Sequence, residues 1–156
     1  MLPLEQFSRP RRTKPTTIVV HCTAGGTFQS AFETLKKRGL SYHYIIDKDG
    51  TVHKLVPYNR VAFHAGRSRG PNGGNVNEYS IGVSFVNRND GRDPYLDPQI
   101  KAFEILCSAL KQAVPTLKWM VGHVDVSLSG KTDPRGFLTK NFAEKLGFEF
   151  WTKENG

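Results

Sequence analysis

Two histidines that lie far apart in the chain, His21 and His123, each stand at the end of a run of residues typical of a β-strand. Lys131 and Asp133 follow the second histidine in a segment punctuated by glycine, serine and proline. Two imidazoles and a carboxylate are the ligand types of a catalytic zinc site, which leaves a fourth position for water. Zinc held there would lower the pKa of that water and polarise a carbonyl, so the predicted chemistry is hydrolysis of an amide. A lysine ammonium beside the carboxylate would stabilise an oxyanion.

The spacing of these residues does not by itself establish a metal site, because ligands spread over most of the chain match no short zinc pattern. The alternative is that both histidines are ordinary surface or core residues. Cys22 adjoins His21, but neighbouring side chains on a strand point to opposite faces, which makes Cys22 a poor partner for the same metal. Cys107 lies on the apolar stripe of a predicted helix, and we expect it to be buried.

The elements that must position these residues are strands and helices in irregular alternation. Runs rich in β-branched and aromatic residues predict strands over 16–21, 42–46, 52–56, 80–86 and 117–121. Helical spacing predicts one helix closed by Gly39, a second capped by Asp97 and ended by Pro115, and a third capped by Thr139. Residues 64–79, rich in glycine, are predicted to form a long loop. We therefore expect an α/β fold, a single compact domain with a central mixed, mostly β sheet flanked by helices.

Charge and composition limit the class of protein. The 156 residues carry a formal net charge of +8, and the 38% hydrophobic content describes a soluble globular protein. No apolar run is long enough to span a bilayer, and the N-terminus lacks the apolar stretch of a secretory signal. Residues 1–15 are predicted to be an extended basic arm with little core-forming content, ahead of a catalytic domain over 16–156. Positive charge suits an anionic polymer such as nucleic acid, cell wall or lipid, although a basic surface kept for solubility is the alternative.

Five sequence blocks stand out in order along the chain: TIVVHCTA at 17–24, SYHYIIDKDG at 41–50, VPYNRVAFHAG at 56–66, NEYSIGV at 77–83, and GH at 122–123 with KTDP at 131–134. Together they resemble the zinc amidases of the bacteriophage-lysozyme and peptidoglycan-recognition-protein superfamily, also called amidase type 2. The resemblance implies an N-acetylmuramoyl-L-alanine amidase, which cuts the amide between the lactyl group of N-acetylmuramic acid and the L-alanine of the stem peptide. It also implies a central mixed sheet with helices on its faces.

Position by position, the resemblance implies that His21, His123 and Asp133 bind one Zn2+ per chain. Lys131 matches the catalytic lysine of the family, whose ammonium would stabilise the tetrahedral oxyanion. Tyr42 matches a tyrosine that helps to position the zinc-bound water. Without the resemblance, Tyr42 is better described as a core aromatic with its hydroxyl in water.

Residues further along the same blocks are candidates for substrate binding. His64 is expected either to contact the substrate or to steady the metal site. Arg67 and Asn77 in the glycine-rich loop could bind carboxylates or amides of the stem peptide, although loop solvation explains them equally well. His43 alternates with Tyr42 on its strand, which predicts a buried, hydrogen-bonded imidazole.

At the position where part of the family carries its general base, this chain has a different residue. Several recycling amidases carry a glutamate two residues after the glycine of Ser-Ile-Gly, where this chain has Ser84. The phage-lysozyme branch also lacks a carboxylate there. The expected route is therefore a zinc-bound water oriented by Tyr42, with Glu78 as a distant second choice of base.

These features favour a phage or prophage endolysin, which stays in the host cytoplasm until lysis and then acts on peptidoglycan in the periplasm. The basic arm would add contact with anionic wall or outer-membrane lipid. We expect a monomer with no nucleic-acid partner, because nothing resembles a nucleic-acid-reading motif. The alternatives are a cytoplasmic muropeptide-recycling amidase and a peptidoglycan-binding protein that has lost catalysis. Retention of the three ligands and Lys131 argues against the second alternative.

Overall fold

The structure, a computed structural model, describes residues 1–154. Its strands are β1 (Ser8–Pro10), β2 (Thr17–Cys22), β3 (Tyr44–Ile46), β4 (Val52–Lys54), β5 (Arg60–Ala62), β6 (Arg69–Gly70), β7 (Gly73–Gly74), β8 (Ser80–Phe85) and β9 (Trp119–Gly122). Its helices are α1 (Phe28–Arg38), α2 (Asp97–Ala113), α3 (His123–Val126) and α4 (Thr139–Leu146), with 3-10 turns at Glu5–Phe7 and Val76–Tyr79. Within residues 1–154, none of the helices is both long enough and apolar enough to cross a bilayer.

A five-stranded sheet in the order β4-β3-β8-β2-β9 forms the centre of the molecule. Strands β3, β8, β2 and β9 run parallel, and the edge strand β4 pairs antiparallel with β3. The prediction of a mixed sheet flanked by helices in one compact domain is confirmed. Because β2 lies between β8 and β9, its carboxyl end is in the middle of one edge of the sheet, where side chains from neighbouring strands converge.

One face of the sheet is apolar and packs against α2 and α4. Ile18 and Val20 of β2 and Phe85 of β8 belong to this buried cluster. The ring of Phe103 from α2 lies 5.1 Å from that of Phe85, centroid to centroid. Cys107 is fully buried in the same cluster, as predicted. Each large apolar side chain buried here contributes about 2 kcal/mol relative to exposure, so this face holds α2 and α4 on the sheet.

The opposite face of the sheet carries the candidate site. Side chains alternate along a strand, so His21 faces away from the apolar cluster that contains its neighbour Val20. On β8 the residues on this face, Ser80, Gly82 and Ser84, are all small, and they alternate with large apolar residues on the other face. Ser84 lies beside His21 in the parallel register. The small residues therefore leave room for histidine rings between the sheet and the elements that cover it.

Residues 1–15 belong to the fold, so the expectation of an arm with little core-forming content is wrong. Leu4 is fully buried and packs in one cluster with Leu35 of α1, while β1 pairs antiparallel with β5. The guanidinium of Arg11 donates to the carbonyl oxygens of Tyr58 at 2.7 Å and Ser80 at 2.6 Å. Burial lowers the pKa of Arg11 to about 10. The charge and proline content of residues 1–15 predict a solvated segment, whereas the contacts of Leu4 and Arg11 hold it on the domain.

Some element boundaries also differ from the sequence-based expectation. The segment 64–79 contains β6, β7 and a 3-10 turn, and Gly73 in its tight hairpin has a φ of 102°, which favours glycine. The second strand begins at Tyr44 rather than at residue 42. Helix α4 begins at Thr139, so its N-cap is Leu138 rather than the threonine.

Candidate metal centre and substrate groove

Parallel pairing of β2 with β9 brings the two distant histidines together. Val20 pairs with Gly122, so the residues that follow, His21 and His123, occupy neighbouring positions at the carboxyl ends of the two strands. Their rings lie 4.5 Å apart, centroid to centroid, and both side chains are buried. The chain turns into the short helix α3 at His123, which directs that imidazole back over the sheet edge.

Asp133 completes this cluster from the loop after α3. Its Oδ2 lies 3.2 Å from Nδ1 of His21, and its Oδ1 lies 3.1 Å from Nδ1 of His123. Ligand atoms of the three residues all fall within 4.8 Å of one another. Two imidazole nitrogens and a carboxylate converging in a buried position fit a divalent cation with nitrogen and oxygen ligands. Cys22 is outside this set, because its Sγ contacts the hydroxyl of Tyr95 at 3.0 Å.

The protonation states of these groups suit a cation. Burial lowers the pKa of His21 to about 4, and the neighbouring His123 adds to this effect. Burial alone would raise the pKa of the Asp133 carboxyl, but its hydrogen bonds with His123 and His21 outweigh that effect and the pKa lies below its ordinary value. At neutral pH the cluster therefore holds a neutral His21 and an ionised carboxylate, which are the forms that bind metal.

A groove opens above this cluster and is walled on one side by α1. Ala31, Thr34, Leu35 and Arg38 recur at helical spacing and present one face of α1 to the groove. The segment 63–66 also lines the groove, as do Asp133 and the exposed Lys131. The predicted catalytic pair, Tyr42 and Lys131, thus lines the same groove as two of the candidate ligands, His123 and Asp133. The third, His21, is fully buried and does not line the groove.

Tyr42 lies beside the metal cluster on the site face of the sheet. Its ring centroid is 4.9 Å from that of His21. Burial raises the pKa of the phenol above its ordinary value, and the nearby Ser84 hydroxyl acts in the opposite direction. Ser84 Oγ is buried and has no hydrogen-bond partner among the described residues. Glu78 is unsuited to act as a base, because its carboxylate pairs with Arg9 at 2.6 Å outside the groove.

The three predicted substrate-binding residues occupy different environments. His64 and Asn77 line the groove, but their polar atoms bind protein groups: Nδ1 of His64 lies 2.8 Å from Nε2 of His21, and Asn77 Oδ1 accepts from two backbone N–H groups. Arg67 is exposed and does not line the groove. Substrate binding by His64, Asn77 and Arg67 stays a prediction. His43 is confirmed as a buried, hydrogen-bonded imidazole, since its Nδ1 accepts from the N–H of Gly82 at 2.9 Å.

Asn89 is a residue of the site that sequence reasoning missed. Its Oδ1 accepts from the N–H of Arg135 at 2.7 Å, and its Nδ2 donates to Thr132 Oγ1 at 3.1 Å. The amide therefore bridges the residues on either side of Asp133 and Pro134, and Tyr95 donates to the Arg135 carbonyl at 2.6 Å. An asparagine in a polar loop carries no sequence signal for such a contact.

Comparisons with known proteins agree with this geometry. The chain matches the family described as N-acetylmuramoyl-L-alanine amidase over residues 11–136. The protein RC0497 of Rickettsia conorii is 33% identical over 112 residues, which cover 70% of this chain and 40% of that protein. The 1,6-anhydro-N-acetylmuramyl-L-alanine amidase AmpD of Escherichia coli K12 is 30% identical over 148 residues, covering 81% of this chain and 79% of AmpD.

A solved structure shows the same fold. The Ph2119 endolysin, from a bacteriophage of Thermus scotoductus, superposes with a TM-score of 0.69 at 29% identity, covering 90% of each chain. The chain spans less than half the length of RC0497 but most of the length of AmpD and of this endolysin. The family match over most of the sequence confirms the predicted resemblance. The chain belongs to the N-acetylmuramoyl-L-alanine amidase family and is, by class, an amidase.

Proposed function

We propose that this chain is a zinc-dependent enzyme that hydrolyses the amide between N-acetylmuramic acid and the L-alanine of the stem peptide in bacterial peptidoglycan. The observation that carries the proposal is the convergence of His21, His123 and Asp133 beside a groove that Lys131 also lines. Zinc is the metal proposed, because two imidazoles and one carboxylate with room for a further ligand are the donor set of catalytic zinc sites.

The residues around the cluster have different roles in amide hydrolysis. Zinc, when bound, supplies a water of lowered pKa and polarises the scissile carbonyl. Lys131 places an ammonium at the rim, where it would stabilise negative charge that develops on the carbonyl oxygen. Tyr42 keeps its proton at neutral pH and offers a hydroxyl that orients the attacking water. Asp133 is the only carboxylate among the described residues that line the groove, so no second carboxylate is assigned as a base.

The charge of the groove suits an acidic peptide. Arg38 on α1 and Lys131 in the loop before Asp133 are both exposed and line the same groove. A stem peptide brings free carboxylates beyond the scissile amide, and two cations along its path would favour its binding.

For the biological role we propose an endolysin. Ser84 departs from the glutamate of the recycling pattern, and a phage endolysin, Ph2119, shares this fold at 29% identity. The basic arm no longer supports this role, because Arg9 pairs with Glu78 and Arg11 is bound to the domain. Residence in the host cytoplasm until lysis, followed by action on the wall as a monomer, belongs to the same proposal.

A recycling amidase is the second candidate, because AmpD of Escherichia coli, named for its action on a 1,6-anhydro-N-acetylmuramyl-L-alanine bond, is 30% identical over 148 residues. Mass spectrometry of products from intact peptidoglycan sacculi and from a soluble anhydro-muropeptide distinguishes the two. Free stem peptides with a new L-alanine amine, released from sacculi, would support the endolysin. Release from the soluble substrate alone would support recycling, and release from neither would contradict the amidase itself. The His123→Ala protein is the control for contaminating hydrolases.

A further inference from the structure

One short segment, residues 63–66, contacts both candidate metal-binding histidines on the side away from Asp133. Nε2 of His21 lies 2.8 Å from Nδ1 of His64, and Nε2 of His123 lies 3.0 Å from the carbonyl oxygen of Ala65. Two consecutive residues thus contact the two histidines through the ring nitrogens that face away from Asp133. Histidines that bind a metal usually donate their second nitrogen to such a partner, which fixes both the tautomer and the orientation of the ring.

One arrangement of protons satisfies this network when a metal binds at Nδ1 of His21. Nε2 of His21 must then carry the proton and donate it to Nδ1 of His64. The His64 ring consequently carries its own proton on Nε2, which lies 3.1 Å from Ser80 Oγ and donates to it. A serine hydroxyl can accept this proton, so the contact with Ser80 supports the tautomer of His64 that accepts from His21.

The ring of His64 packs against Gly82 of β8, a position that has no side chain. A Cβ atom added at Gly82 would lie 2.7 Å from Cγ of His64, closer than atoms pack in protein interiors. Gly82 is not among the glycines with positive φ, so its backbone does not itself call for glycine. The glycine provides space, and the ring of His64 occupies it.

Asn77 fixes the supporting segment on its other side. Its Oδ1 accepts from the backbone N–H of His64 at 3.1 Å and from that of Ala65 at 2.8 Å. One side-chain oxygen thus sets the position of both residues that support the histidines. With this oxygen engaged by two donors, the Asn77 carbonyl has little capacity left for a substrate amide.

We infer that His64 is a positioning residue, which holds His21 in the tautomer and orientation that bind the metal, with Ser80 and Asn77 as its supports. His64 acts on the metal site and does not recognise the substrate. This inference rests on the metal site of the proposed function and assigns the His64 and Asn77 side chains to building that site.

The test measures zinc affinity without substrate, by competition against a chelating dye at neutral pH. His64→Ala should weaken zinc binding by about 10- to 100-fold, the usual effect of removing such a partner. His64→Gln should recover part of the loss, because its side-chain oxygen can accept from His21. His53→Ala is the matched control and should bind zinc like the wild type, because His53 is a partly exposed residue of β4 that pairs with Asp47.

Ser80→Ala provides a second variant that keeps the ring in place. It should weaken zinc binding by a smaller factor, and the double variant His64→Ala/Ser80→Ala should bind zinc no more weakly than His64→Ala alone. Wild-type zinc affinity in His64→Ala, combined with a raised KM, would overturn the inference and assign the residue to substrate. Independent, multiplying losses from the two substitutions would also overturn it. A wild-type protein that binds no zinc would instead contradict the metal site of the proposed function.

Discussion

Nδ1 of His21 lies 3.2 Å from Oδ2 of Asp133, although 112 residues separate them in the chain. The contact is formed by a strand end on one side and a loop on the other, and the carboxylate also contacts Nδ1 of His123 at 3.1 Å. Neither partner is displaced toward solvent, since both residues are buried. Contacts within the protein therefore hold these side chains together, as expected of a preorganised centre.

Replacing His123 with alanine should abolish stoichiometric zinc binding, because two remaining ligands hold zinc far more weakly than three. Metal content of the purified protein, measured by mass spectrometry, checks this expectation. Cys22→Ser is the matched control: the thiol lies close to the site but contacts Tyr95, so zinc content should stay at that of the wild type. Full occupancy in His123→Ala would remove this residue from the ligand set.

Replacing Lys131 with alanine should lower the turnover rate by about 100-fold with zinc retained, because the ammonium would stabilise charge that exists only in the transition state. Steady-state kinetics on a soluble muropeptide, together with metal content, measures both quantities. Lys140→Ala, on the exposed surface of α4 and away from the groove, should leave the rate unchanged. Normal turnover in Lys131→Ala would argue against the catalytic role.

Asn89→Gly should weaken zinc binding, because it removes the amide that joins the residues on both sides of Asp133 and Pro134. Glycine keeps the positive φ of 58° at this position without strain, so the substitution isolates the side chain. Asn75→Gly is the matched control, since Asn75 also has positive φ but lies in the loop before β8. Equal zinc affinities of the two variants in the dye competition would show that the bridge is dispensable.

The zinc-free protein should lose stability as the pH falls below neutrality. Burial lowers the pKa of His43 to about 3, whereas a histidine in the unfolded chain titrates near 6.5. Below pH 6.5 the unfolded state therefore takes up a proton that the native state does not, and the free energy of unfolding decreases until the pH approaches 3. Each unit between the two values corresponds to about 1.4 kcal/mol.

Urea unfolding at several pH values measures this dependence. In His43→Gln the imidazole is absent, so the slope of stability against pH should be shallower than in the wild type. The stability difference between the two proteins should therefore shrink as the pH falls from 7 to 4. A difference independent of pH would contradict the buried, neutral state of His43.

Leu4→Ala should destabilise the protein by about 2–5 kcal/mol, as expected for a fully buried leucine. Deleting residues 1–14 should for the same reason reduce hydrolysis of soluble fragments and of whole walls alike. Thermal unfolding and both activity assays check this expectation. Arg12→Ala, at an exposed position of the same segment, should change neither stability nor activity. A selective loss on whole walls after the deletion would restore the hypothesis that residues 1–15 add contact with the anionic wall.

Much of the fold could be predicted because its signals are local. The signals are the run of β-branched residues before His21, the helical spacing that ends at Gly39 and the proline after α2. Each depends on neighbours a few residues away. The buried parallel strand β2 is apolar along most of its length, so it is recognisable without knowledge of its partners. The errors fell at the glycine-rich segment 64–79 and at the N-terminus, where contacts with distant residues decide the structure.

The sequence by itself determined the ligand types, their order along the chain and the family that carries this pattern. It also determined that Ser84 replaces the glutamate of the recycling pattern. Tertiary structure alone decided that His21 and Asp133 meet, that Leu4 belongs to the core and that Asn89 bridges the loop of Asp133. It also placed the His64 ring against Gly82, behind His21. The physical reason is that strand register and loop closure bring together residues whose separation along the chain carries no information about their contact.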